Sequence, residues 1–258
     1  MRYQLVKVVR SIIYNMKQND FPLLVAEVAN CHAGSKKYLR ELVDELCKTS
    51  VEAIKFQLII AEELLVSHHS QYALFKSLEF PYAFWEKILT RVRSAHKKVI
   101  FDVFGDRSLK MAARLKADMF KVYASDVDDI GFIKRVLSYK KKIYISTGGA
   151  ELKEIRRIIE LPGRKNICFL IGFQSFPTPL EESQLNRIDH LRRNYGCNVG
   201  FMDHTAPGDL FSFILPCIAV AKGACTVEKH VFLPDRKKTY DWQSSIACPE
   251  LDKLHDLL

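Results

Sequence analysis

The sequence predicts a single (β/α)8 barrel. Strand-like apolar runs alternate eight times with helical segments, and no linker or composition break interrupts them. The length of 258 residues suits such a barrel. Hydrophobic and charged contents of 48% and 27% are those of an ordinary soluble globular chain.

Residues 1–20 have a mixed pattern and read as an N-terminal extension ahead of a barrel domain over 21–258. Leu23–Ala29 reads as the first buried strand, and apolar Leu39, Leu42, Val43 and Leu46 at helical spacing predict a helix over Lys36–Lys48. Ala53–Ile59 is the second strand; a polar connection over 61–80 then leads to a helix at Tyr82–Ala95. The alternation becomes regular with strands at Val99–Val103, Met119–Tyr123, Lys142–Ser146 and Asn166–Ile171. Their helices are Ser108–Leu115, Asp128–Leu137, Leu152–Ile159 and Leu180–Tyr195. Asn198–His204 and Cys225–His230 supply strands seven and eight around a helix at Leu210–Lys222, and Pro249–Leu258 is the last helix.

The seven cysteines are scattered and form no CxxC pair, which fits reduced thiols and a cytoplasmic location. No apolar run reaches the roughly 18 residues of a membrane helix, and the first residues lack a signal-peptide pattern. The net charge of +9 is carried mostly by predicted helix faces and short clusters, so neither nucleic acid nor membrane is an expected partner. An anionic small molecule fits better.

Parallel barrel strands are buried on both faces, so a charge within one needs a partner or a ligand. This chain carries Glu27, Lys55, Asp102, Lys121, Asp203 and Glu228 on such strands. Asp203–His204 and Glu228–His230 also place a carboxylate and an imidazole at two successive strand ends, a pattern suited to a metal or acid/base site. The bland reading is an internal Lys–Glu network with satisfied core histidines. Recurrence from strand to strand favours convergence on the C-terminal mouth, and two interior lysines favour a carboxylate or phosphate ligand. No Walker or GxGxxG loop supports nucleotide binding.

Eight motifs in order resemble the sialic acid synthase family over about residues 23–251. Ala26-Glu-Val-Ala-Asn-Cys-His-Ala-Gly34 is similar to AEIGxNHxG, and Ala53-Ile-Lys-Phe-Gln57 to AxKFQ. Phe120-Lys121-Val122 with Asp126 resembles FKIxSxE/D, Ser146-Thr147-Gly148 resembles STGM, and Phe176-Pro-Thr-Pro179 resembles YPTP. Gly200-Phe-Met-Asp-His-Thr205 matches GxSDHT, Val227-Glu-Lys-His230 matches xEKH, and Asp241 with Pro249-Glu-Leu251 matches the closing motif.

The resemblance implies condensation of phosphoenolpyruvate with an N-acetylmannosamine-like aldehyde, assisted by a divalent metal, Mn2+ or alternatively Mg2+. It implies His204 and His230 as metal ligands, with Glu27, Lys55, Lys121, Asp126, Glu228 and Asp241 as catalytic residues. Gln57, Ser125, Ser146, Gln174, Phe176 and Asp203 are the implied substrate contacts. Ala124 and Met202 stand where the family has phosphate-binding serines; Gln174, Phe176 and Cys31 replace an Asn, a Tyr and an Asn. The family's C-terminal antifreeze-like domain is not represented, so a homodimer or a separate chain is expected to complete the sugar pocket. A 3-deoxy-sugar-acid synthase acting on another aldose, and a non-catalytic barrel binding a sugar or a partner, remain alternatives.

Overall fold

The computed structural model describes residues 22–236 and 239–258; the N-terminal extension expected over 1–20 lies outside them. The chain folds as a (β/α)8 barrel. Its strands are β1 (Leu23–Glu27), β2 (Ala53–Gln57), β3 (Lys98–Val103), β4 (Met119–Val122), β5 (Lys142–Ser146), β6 (Ile167–Ile171), β7 (Asn198–Asp203) and β8 (Thr226–Phe232). Each pairs in parallel with the next, and β1 also pairs with β8, which closes the sheet. A ninth strand, β9 (Ser245–Ala247), continues from the overrunning end of β8 through His230↔Ser245. The sequence offers little signal for so short a strand.

Alternation along each strand divides the core in two. Outward residues such as Ile54, Phe101, Phe120 and Phe169 meet the helices. The helix Lys36–Leu46 buries the four apolar residues named above, and the Ser35 hydroxyl caps it by accepting the Tyr38 N–H at 3.2 Å. Inward residues Val25, Ile100, Met119, Tyr144, Cys168, Leu170 and Met202 form an apolar plug inside the barrel. The next inward residues toward the strand ends are charged, so the plug supports a polar layer facing the C-terminal mouth.

Two connections differ from expectation. Residues 61–80 hold two short helices, Ala61–Leu64 and Tyr72–Ser77, rather than a polar loop. The helix expected over Leu180–Tyr195 begins only at Asn186, after a 3-10 turn at Leu180–Glu182. Gln184 has φ +47°, outside the right-handed helical region, which separates the two pieces. The first strand is also shorter than expected: Ala29 has φ +44°, so the chain has left the extended conformation by that residue.

Candidate active site

A cavity of about 210 Å³ opens at the C-terminal mouth. Glu27, Lys55, Lys121, Glu228, His204 and His230 line it, together with Gln57, Ser125, Gln174, Phe176 and Asp241. Strand register brings the charges together: Glu27 lies beside Lys55, and Asp102 beside Lys121. Lys55 Nζ lies 3.1 Å from Asp102 Oδ2 and 2.9 Å from Glu228 Oε1, and it also contacts Glu27 Oε2. Lys121 Nζ lies 2.7 Å from the same Glu228 oxygen and 4.0 Å from Asp102 Oδ2. Three carboxylates thus surround two ammonium groups, all buried.

The network sets the charge states. Burial lowers the Lys55 ammonium to about 8 despite Asp102 and Glu228, so it remains cationic at neutral pH. Burial pulls on Lys121 in the same direction, but Asp102 and Glu228 outweigh it and raise its pKa. Burial alone would raise the Glu228 carboxyl; Lys121 and Lys55 hold it down at about 2. Asp241, hydrogen-bonded to the Asn30 N–H at 2.9 Å, is raised by burial and holds its proton more tightly than a free aspartate.

The two imidazoles face each other edge to face, with ring centroids 5.2 Å apart. Burial lowers His204 to about 4, and burial together with His204 pushes His230 well below its ordinary value. Both are neutral at pH 7. His204 Nδ1 donates to the Phe173 carbonyl at 2.9 Å, which leaves the Nε2 lone pair available. His230 Nδ1 is buried with no hydrogen-bond partner among the described residues. Neutral rings with available nitrogens suit a divalent ion. Among the described residues no group of three or more His, Cys, Asp or Glu stands close enough to hold one, so the pair forms an open half-site.

The opposite wall is apolar. Ile59, Leu64, Phe75 and Phe104 line it, two of them supplied by the short helices at 61–64 and 72–77. The polar appearance of that connection hid this wall in the sequence. Asn30 is a second contributor that sequence reasoning passed over. Its side-chain N–H donates to Gln57 Oε1 at 3.0 Å, while its Oδ1 is buried and without a partner among the described residues.

Three expected substrate or catalytic residues do not line the cavity. Asp203 is the clearest correction. It follows inward-facing Met202 on β7 and therefore points outward, where Lys229 Nζ meets its Oδ2 at 2.6 Å and Thr205 N–H donates at 2.9 Å. Asp126 ends the 3-10 turn Ala124–Asp126 and sits half-buried beside Ser125, clear of the cavity. Ser146 is fully buried behind Gln174, whose Nε2 reaches its hydroxyl at 3.4 Å. Ser125 does reach the cavity: it shares the parity of inward-facing Lys121 and Tyr123 and keeps their face even though β4 has given way to the 3-10 turn.

The Asp203–Lys229 pair gives a stability prediction. Lys229→Met or Asp203→Ala alone should each cost about 3–5 kcal/mol by leaving one buried charge unpaired. The double variant should be more stable than the two losses added together, as read by a urea-unfolding cycle. Additive losses would contradict the pairing.

A pH dependence follows from the buried histidines. His32 and His204 are both held near pH 4 by burial, so the unfolded chain binds protons that the folded chain does not between about pH 4 and the ordinary 6.5. Stability is therefore fully present above 6.5 and falls as the pH drops toward 4, by about 1–2 kcal/mol per histidine at pH 5. Urea midpoints at pH 7 and pH 5 measure it.

Comparison with known proteins gives a consistent assignment. The model of the NeuB family matches residues 42–257. An uncharacterised protein of Methanocaldococcus jannaschii is 30% identical over 233 residues, covering 88% of this chain and 66% of that protein. The pseudaminic acid synthase of Campylobacter jejuni is 24% identical over 261 residues, 95% of this chain and 75% of the synthase. This chain thus spans two thirds to three quarters of the length of these relatives. In fold, it superposes on the sialic acid synthetase of Leptospira borgpetersenii with a TM-score of 0.84 at 24% identity, covering 93% of this chain and 83% of the synthetase. With most of its length matched by the family model, the chain belongs to the NeuB family.

Proposed function

We propose that this protein condenses phosphoenolpyruvate with an acetamido-sugar aldehyde of the N-acetylmannosamine type, giving a sialic acid-type nonulosonate and phosphate. The observation that supports this most is the meeting of two buried ammonium groups and two neutral imidazoles in one cavity at the barrel mouth. The fixed cations suit the carboxylate and phosphate of an enolpyruvate. The apolar wall suits the methyl of an acetamido group, and Gln57 and Gln174 offer hydrogen bonds beside it.

In this reading Lys55 and Lys121 hold the enolpyruvate so that its C3 faces the aldehyde carbon. The C3–C1 bond forms, and water adds at C2 while phosphate departs with the C2–O bond. Asp241, whose carboxyl burial raises above the ordinary aspartate value, is the group placed to donate a proton to the aldehyde oxygen as it becomes an alkoxide. Glu228 is a weak base at a pKa of about 2, so its part is to anchor both lysines rather than to move a proton. Glu27 faces the same cavity and accepts the proton of the attacking water. His204 and His230 would hold the divalent ion; imidazole ligands favour Mn2+ over Mg2+. When bound, the ion supplies Lewis-acid polarisation of the aldehyde.

Ala124 and Met202 remove two hydroxyls that the family pattern supplies to phosphate, and Ser125 is the neighbouring hydroxyl that reaches the cavity. Phosphate release from phosphoenolpyruvate with a panel of aldoses, with and without Mn2+, tests the reading. Release is expected with acetamido aldoses. Release only with non-acetamido aldose phosphates would favour a 3-deoxy-sugar-acid synthase, and no release with any aldose would contradict both.

A further inference from the structure

We infer that Tyr123 binds the phosphate of phosphoenolpyruvate, its phenolic hydroxyl donating to a phosphate oxygen beside Lys121. This role rests on the condensation proposed above and falls to a residue that the family motif leaves open, between Val122 and Ala124. Lys121 lies on β4 and faces the cavity. Tyr123 is still extended, at φ −74° and ψ 162°, so strand alternation brings its side chain to the same face. Lys121, Tyr123 and Ser125 therefore line the cavity in one row.

Uncommitted donors are scarce in this cavity. Lys55 meets Glu27, Asp102 and Glu228, which occupy all three of its N–H groups. Lys121 donates to Glu228 at 2.7 Å and has Asp102 only at 4.0 Å, so it keeps donor capacity for a ligand. Ala124, Met202 and Phe176 supply no hydroxyl. A phosphate beside Lys121 therefore needs neutral donors that no carboxylate holds. The Ser125 hydroxyl is already engaged by the Asp126 carboxylate. The Tyr123 hydroxyl instead donates to Gln174 Oε1 at 3.4 Å, a long contact to a neutral amide that a phosphate oxygen would outcompete.

The ring holds that hydroxyl in place. Tyr123 packs against the apolar cluster of Ile59, Leu78 and Phe104, with its ring centroid 5.9 Å from that of Phe104. The hydroxyl is thus the polar tip of the apolar wall, at its border with the lysines. Burial raises the phenol above its ordinary value and Lys121 offsets this only in part, so it is protonated at neutral pH and can donate. A ring already packed loses little freedom when a ligand arrives. Of the two anionic groups of phosphoenolpyruvate, the phosphate carries more charge and more acceptor oxygens. It therefore takes the end of the cavity where Lys121 and Tyr123 both donate.

Isothermal titration of the full chain with phosphoenolpyruvate, inorganic phosphate and pyruvate tests this. Tyr123→Phe is the variant to compare, because it keeps the packed ring and removes only the hydroxyl. It should bind phosphoenolpyruvate and inorganic phosphate roughly 10–100-fold more weakly. Pyruvate, which keeps the carboxylate and lacks the phosphate, should bind both proteins alike. In turnover, KM for phosphoenolpyruvate should rise in the variant while KM for the acetamido aldose stays unchanged. Unchanged affinity for the two phosphate-bearing ligands, or an equal loss for pyruvate, would overturn the role. Failure of the unsubstituted chain to bind either phosphate-bearing ligand would overturn it as well. Weaker phosphoenolpyruvate binding in Tyr123→Phe, with no phosphate release from either protein, would uphold the role and reject the condensation instead.

Discussion

Lys55→Met should lower the unfolding free energy by about 3–5 kcal/mol, a large part of the roughly 5–15 kcal/mol that holds a typical domain together. Lys55 is fully buried and meets Glu27, Asp102 and Glu228 at once. Methionine fills much the same volume, so the loss is electrostatic: among the described residues Asp102 and Glu228 keep Lys121 as a close ammonium, while Glu27 loses the one it pairs with. The carboxylates would respond by taking up protons, which offsets part of the histidine penalty, so the variant should lose less stability on mild acidification than the unsubstituted chain. Adding Asp102→Asn to Lys55→Met should recover part of the loss, because it removes one of the stranded charges. Urea unfolding of the three proteins at pH 7 and 5.5 decides this. A loss below about 1 kcal/mol would mean that the buried network contributes little to the fold.

Substituting His204→Ala together with His230→Ala should abolish Mn2+-dependent phosphate release and weaken Mn2+ binding. The loss of affinity should exceed the 10–100-fold typical of removing an outer-shell partner alone, since both imidazoles of the half-site disappear. Free Mn2+ measured by electron paramagnetic resonance reads the affinity without relying on turnover. Substituting Phe173 cannot imitate this result, because its contribution to His204 is a backbone carbonyl. Full activity and unchanged Mn2+ affinity in the double variant would remove the imidazoles from the metal assignment.

The barrel was legible because each strand is a short apolar run that cannot be solvated, and each helix between them has one apolar face. The charged layer was legible for the same reason: Lys55 between Ile54 and Phe56 has no way to reach water. Strand alternation also contained more than was taken from it. Asp203 and His204 are adjacent on one strand end and so point to opposite faces, as do Lys229 and its neighbours Glu228 and His230. Reading that parity would have paired Asp203 with Lys229 from the sequence. Asp102 likewise stood among the interior charges, and its register beside Lys121 gives it the anchoring position that the motifs did not assign.

What the sequence could not supply depends on turns and on long-range placement. The 3-10 turn at Ala124–Asp126 ends β4 just where Ser125 and Asp126 are placed, and three residues carry no periodic pattern. Half of the apolar wall, Leu64 and Phe75, comes from two helices of four and six residues, too short for hydrophobic periodicity to mark. The Tyr123–Gln174 contact joins residues 51 positions apart, and no local motif encodes it.

The proposed condensation is tested most directly with phosphoenolpyruvate carrying 18O in its bridging oxygen, incubated with N-acetylmannosamine and Mn2+. The bridging oxygen should leave with phosphate as the C2–O bond breaks, alongside one nonulosonate per phosphate in the product mass spectrum. Phosphate without the label, or phosphate formed with no sugar-linked product, would contradict the proposed reaction.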